Sequence, residues 1–235
     1  MYEYSGSDPR DRETYYFHAT PLRRFTLALA RLLFKPVMQL EVSGLANIPA
    51  QGGFILAANH VNNWDVFAMQ FAAPRTIFYM GKAELFRFPP LAAVFRNFGA
   101  FPVYRGEKDA WALQHASRVL DAGQALGMFP EGHRSHGEGL LPAKTGSARL
   151  AIESGCPIIP MAIIGTERFL RELPRRTLVR VAFLPPIYPK PDDTPESLTE
   201  RMMLALAAAL PEHMRGAYAR NAGEATPPAD NDQTE

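Results

Sequence analysis

Between residues 37 and 187, short apolar runs alternate with stretches of helical character, and this alternation constrains the fold more than any other feature. "VMQLEVSG" (37–44), "GFILAAN" (53–59), "TIFYMG" (76–81), "AFPVY" (100–104), "ALGMFPEG" (125–132), "PIIPMAIIG" (157–165) and "LVRVAFLPPI" (178–187) read as strands. Several of them are almost wholly apolar and flanked by turn residues, the look of strands buried on both faces. Helices are expected over 64–73, 108–123, 146–155 and 194–210. Gly123 stands just past the end of the second, while Thr194 caps the last and Pro195 begins it. The aromatic-rich stretch 84–98 is interrupted by Pro89-Pro90. The pattern predicts an α/β layered fold with a central, mostly parallel β-sheet flanked by helices.

Upstream of this series, "PLRRFTLALARLLFKP" (21–36) reads as a helix with Pro21 near its start and Pro36 stopping it. At about 100° per residue, Leu22, Phe25, Leu29, Leu32 and Leu33 share one face, opposite Arg24, Arg31 and Lys35. Such a helix suits a lipid interface. It equally suits a helix docked by its apolar face on its own domain. Residues 1–20 read as a polar, loosely ordered arm, 37–215 as the main domain, and 216–235 as a disordered tail.

With 47% hydrophobic and 21% charged residues, a chain of 235 has ample material for one large core. The formal charge of +1 excludes a generally basic nucleic-acid binder. Charge is nevertheless uneven: residues 21–105 hold nine Lys/Arg against three acids, so this part favours an anionic partner such as a lipid surface or a phosphate. The apolar stretch from Phe25 to Ala30 falls far short of the roughly 20 residues a spanning helix needs. The polar run "MYEYSGSDPRDRETYY" before it does not read as a secretory signal. A cytosolic or peripherally attached protein is expected. The single cysteine, Cys156, permits no internal disulfide and reads as a small buried residue rather than a nucleophile.

Within "AANHVNNWDVFAM" (57–69), His60 and Asp65 are five positions apart. On one continuous helix they would stand about 140° apart and could not meet. They meet only if His60 occupies the strand-to-helix turn and Asp65 the first helical turn, with Asn62 or Asn63 as N-cap. A histidine oriented through Nδ1 by a carboxylate can take a proton from an alcohol through Nε2. A pair that merely ties the turn together fits the same spacing.

"NHVNNWD" resembles the first motif, N-H-x4-D, of the glycerolipid acyltransferases, the family of 1-acylglycerol-3-phosphate acyltransferase type. "GAFPVYRGE" (99–107), "FPEGHRS" (129–135) and "CPIIPMAI" (156–163) resemble its second, third and fourth motifs, in the family's order and approximate spacing. The resemblance implies transfer of a fatty acyl group from acyl-CoA or acyl carrier protein to the free hydroxyl of a lysophospholipid acceptor, foremost lysophosphatidic acid, in phospholipid biosynthesis. Neither cofactor nor metal is implied. His60 would be the general base and Asp65 its orienting partner. Arg105, Arg134 and Ser135 would hold the acceptor's phosphate, assisted by Lys82. Gly132 would allow a tight turn, and Glu131 would fix an arginine or accept from a glycerol hydroxyl. The family also gives residues 22–35 a purpose as a contact with an anionic membrane surface, on the cytoplasmic face. The stretch from Phe86 to Phe98 would join that contact or line an acyl tunnel.

Two positions depart from the family's pattern: His133 stands where threonine is usual, and Asn62 where serine is usual. His133 puts a titratable group beside the phosphate site. His136, three residues after His133, invites a metal reading, which its Gly-rich surroundings argue against. The rival readings are transfer to another lysolipid and hydrolysis of a thioester or ester. A serine hydrolase would usually show G-x-S-x-G, which the chain lacks.

Overall fold

A computed structural model describes residues 8–104 and 109–220, so Arg105 and the expected tail from 221 onward lie outside the described residues. Seven strands form one sheet: β1 (Met38–Ser43), β2 (Phe54–Ala58), β3 (Ile77–Lys82), β4 (Ala100–Val103), β5 (Ala125–Met128), β6 (Ile158–Ile164) and β7 (Thr177–Phe183). Their order is β1-β7-β6-β2-β5-β3-β4. Every pairing is parallel except β6 with β7. The expected α/β layered architecture is therefore present.

Side chains of β2 alternate between two apolar layers. Ile55 and Ala57 enter the layer formed with α4 (Ala110–Asp121), α5 (Gly146–Ser154) and α6 (Pro195–Ala208). Phe54, Leu56 and Ala58 enter the opposite one with α2 (Asp65–Ala72). This two-sided burial is why the strand reads as an unbroken apolar run.

Four local differences from the expectations have physical causes. Pro89 and Pro90 open a helix, α3 (Pro89–Asn97), rather than interrupt one, because a missing N–H costs nothing in a first turn. β7 stops at Phe183, ahead of the Pro185-Pro186 pair, and only Ile187 returns to bridge Ile158. Residues 8–20 are docked rather than loose: Arg10 is buried, and Tyr15 and Phe17 pack on His115. Residues 216–220 are also held, since Ala217 N–H donates to Leu140 O and the Tyr218 hydroxyl accepts from Ala143 N–H.

The first helix, α1 (Pro21–Phe34), has its start capped by Thr20, whose hydroxyl accepts from Arg23 N–H. It turns its apolar stripe outward: Leu22, Phe25, Leu29, Leu32 and Leu33 are exposed, whereas Arg23, Leu27 and Ala30 are buried. Docking by the apolar face is thereby excluded. Arg23 instead donates to Ile77 O at 2.7 Å and Phe98 O at 3.0 Å, under the ring of Phe78. No helix among the described residues is long and apolar enough to cross a membrane.

Candidate active site

Strands β2, β3, β4 and β5 run parallel, so the segments after them emerge at one edge of the sheet, where α/β folds gather their chemistry. His60 leaves β2 there, in the turn before α2, and Asp65 is the first residue of that helix. His60 Nδ1 is 2.8 Å from Asp65 Oδ2. Asn62 forms the turn between them: its side-chain oxygen accepts from Trp64 N–H at 2.8 Å. Its amide donates to Thr166 O at 2.7 Å. The N-cap position itself is Trp64, not Asn62 or Asn63 as the sequence suggested, and no side chain caps the helix; Asn62 instead closes the turn two residues ahead of that cap.

Asp65 is fully buried and gathers four donors. Oδ2 accepts from His60 Nδ1, from Val61 N–H at 2.7 Å and from Asn62 N–H at 2.8 Å. Oδ1 accepts from the hydroxyl of Thr166, which follows β6. A carboxylate in this position calls for a proton on Nδ1, the tautomer that in a neutral imidazole leaves the lone pair on Nε2. The Phe129 ring stacks on the imidazole, 3.9 Å between centroids and 18° from parallel, and sets its plane.

His60 lines a cavity of about 260 Å³. Its walls include Tyr104 after β4, Phe129 and Gly132 after β5, and Lys144 before α5. Gly132 has φ +75°, a left-handed conformation that strains any residue with a β-carbon, and the far end of the Lys144 side chain lies 3.0–3.2 Å from where that carbon would be.

The residues singled out from the sequence, Arg105 excepted, have definite places. Glu131 does not fix an arginine through a described contact. Its carboxylate is buried and accepts from His60 N–H at 2.7 Å and Leu141 N–H at 2.9 Å, clamping the third motif to the first. Burial pushes its pKa up to about 7, against the lowering effect of those two bonds. Ser135 is buried, and its N–H donates to His60 O at 2.8 Å. Glu131 and Ser135 face a separate, smaller cavity of about 90 Å³. Lys82 ends β3 half-exposed, 3.3 Å from Glu84, and Arg134 is exposed; neither lines the His60 cavity. Arg105 lies outside the described residues. No group of three or more metal-ligating side chains occurs among the described residues.

Sequence reasoning missed Thr166 and Lys144. Thr166 is 101 residues from Asp65 and reaches it only because β6 pairs with β2. Lys144, in "LPAKTGS", carries no sequence signal beyond preceding a helix.

The family model of the Acyltransferase family matches residues 39–164. The chain is 34% identical over 157 residues to the 1-acyl-sn-glycerol-3-phosphate acyltransferase of Salmonella typhimurium, covering 64% of this chain and 63% of that one. It is 30% identical over 127 residues to the protein of the same name from Bacillus subtilis, covering 54% and 63%. To that of Borreliella burgdorferi it is 32% identical over 136 residues, covering 56% and 54%. The chain thus spans 54–63% of the length of these curated relatives. The crystal structure of the 1-acyl-sn-glycerophosphate (LPA) acyltransferase PlsC from Thermotoga maritima superposes with a TM-score of 0.61 at 25% identity, over 79% of this chain and 75% of that one.

Proposed function

The chain belongs to the Acyltransferase family, and on that footing we propose that it acylates the free hydroxyl of lysophosphatidic acid, forming phosphatidic acid from an acyl-CoA or acyl-ACP thioester. One observation carries the reading: an imidazole held by a buried carboxylate lines a cavity at the carboxyl edge of the sheet. His60 Nε2 takes the hydroxyl proton as the acceptor oxygen attacks the thioester carbonyl carbon. The tetrahedral intermediate collapses, the C–S bond breaks, and the departing thiolate takes up the proton held by the imidazolium. An alcohol already oriented beside a base is a sufficient nucleophile, so no acyl-enzyme is required.

The acceptor's phosphate needs cations. Lys144 supplies one at the cavity wall, and Arg134 lies two residues beyond Gly132, which also lines it. The outward stripe of α1 gives the protein a membrane-facing surface. Exposed Leu85, Phe88, Leu91 and Val94 extend it across α3 and the turn before it, and α1 packs against α3. Arg24, Lys35 and Arg87 are exposed on the same elements and suit an anionic bilayer. A peripheral protein on the cytoplasmic leaflet follows from this reading.

Incubating the purified protein with labelled acyl-CoA or acyl-ACP and a panel of lysolipids tests it. Labelled phosphatidic acid is expected. Free fatty acid without lipid product would instead indicate a hydrolase.

A further inference from the structure

The sequence suggests a loose N-terminal arm, yet Arg10 is 9% exposed and is the centre of a network reaching the cavity wall. Its guanidinium donates to Asp109 Oδ2 at 2.6 Å and Oδ1 at 2.8 Å, and to Pro102 O, within β4, at 3.3 Å. It also forks onto both oxygens of Asp8 in its own arm, at 2.8 and 2.6 Å. The cation lies 4.7 Å from the centroid of the Tyr104 ring and 4.3 Å from that of Trp111. Asp109, so held, accepts from Tyr104 N–H at 2.8 Å and from Ala112 N–H at 3.0 Å, capping α4. Val103 and Tyr104 in turn form part of the cavity that contains His60.

We propose that Arg10 is a positioning residue: by bridging Asp109 and packing on the Tyr104 ring, it holds one wall of the His60 cavity in its binding geometry and thereby sets affinity for the phosphate-bearing acceptor. The affinity half rests on the acceptor occupying that cavity. The arm has other anchors. Tyr15 and Phe17 pack on His115, and Trp111 Nε1–H donates to Asp11 at 2.8 Å. Arg10 is therefore not needed merely to hold the arm down, and its removal leaves a folded chain with a loosened wall. Lysine cannot replace it, since a point charge lacks the planar fork that meets two carboxylates at once.

Two readouts on wild type, Arg10→Ala and Arg10→Lys test this. The first is backbone amide exchange across residues 100–104, which needs no substrate; it is expected to quicken in both variants. The second is the steady-state split. If the wall is competent one-tenth of the time without its brace, acceptor KM rises about tenfold, with kcat within about twofold of wild type. Both variants should behave alike. Unchanged exchange overturns the proposal. So does a wild-type-like Arg10→Lys, which would make charge alone sufficient, or a fall in kcat at constant KM. Quickened exchange in a protein whose wild type forms no phosphatidic acid would leave the brace standing and refute the proposed reaction.

Discussion

At Asp65, two backbone N–H groups, a hydroxyl and an imidazole share two carboxylate oxygens. Asp65→Ala therefore strands buried donors at the same time as it frees His60. Acyl transfer should be lost, and denaturant titration should show a stability loss of about 2–4 kcal/mol, on the cost of unsatisfied buried groups. Equal stability of the variant and wild type would show that the carboxylate does not hold the turn. Glu131 gives a prediction with a definite sign. Its folded pKa of about 7 lies above the roughly 4.3 expected unfolded. Between those values the folded state keeps a proton that the unfolded chain releases, so this carboxyl makes stability fall as pH rises through that window. Unfolding free energies measured at pH 5 and pH 7.5 should fall by on the order of 2 kcal/mol more for wild type than for Glu131→Gln. A parallel pair of curves would refute the shift. His60 and Asp65 were legible in the sequence because strand, turn and helix signals left one geometry in which they could touch. The two bonds that Glu131 makes were not legible, because their donors are backbone N–H groups, which no residue pattern advertises.

The first helix tests how far periodicity can be trusted. Its apolar stripe was plain in the sequence, but which side faced the protein was not. Burial of Arg23 decides that, and depends on carbonyls of Ile77 and Phe98 more than fifty residues away. Burial also depresses the Arg23 pKa to about 10. Arg23→Ala should cost about 1–3 kcal/mol, since Gln70 Nε2 also donates to both carbonyls and they keep one partner. Thermal or urea unfolding measures this. The outward face is a separate matter. Phe25 and Leu32 are 66% and 65% exposed, so Phe25→Asp with Leu32→Asp should leave the melting curve in place. It should abolish most binding to vesicles containing phosphatidylglycerol in a flotation assay. Undiminished flotation would remove α1 from the membrane contact. Strand positions were readable to within a residue or two except at two ends: β5 stops at Met128 where the reading ran to 132, and β7 stops at Phe183 because a paired proline cannot continue a ladder.

Across the whole molecule, the parallel strands bring to one edge groups that are distant in the chain: His60 after β2, Tyr104 after β4, Phe129 after β5 and Thr166 after β6. Layer order was readable from alternating runs, because strands buried on both faces must be covered by helices on both. Strand order was not readable, and Thr166 therefore remained hidden until β6 was found beside β2. Lys144 was hidden for a different reason: it reaches the cavity because the connection between β5 and α5 folds back on itself, Lys144 N–H donating to Pro130 O at 2.8 Å, and no residue pattern announces that. Everything functional rests on the proton path through one imidazole. The most direct test is the rate of phosphatidic acid formation by His60→Ala, with circular dichroism to show that it is folded. Loss of a general base predicts a fall of at least about 10²–10⁴-fold at unchanged fold; turnover close to wild type would contradict the account.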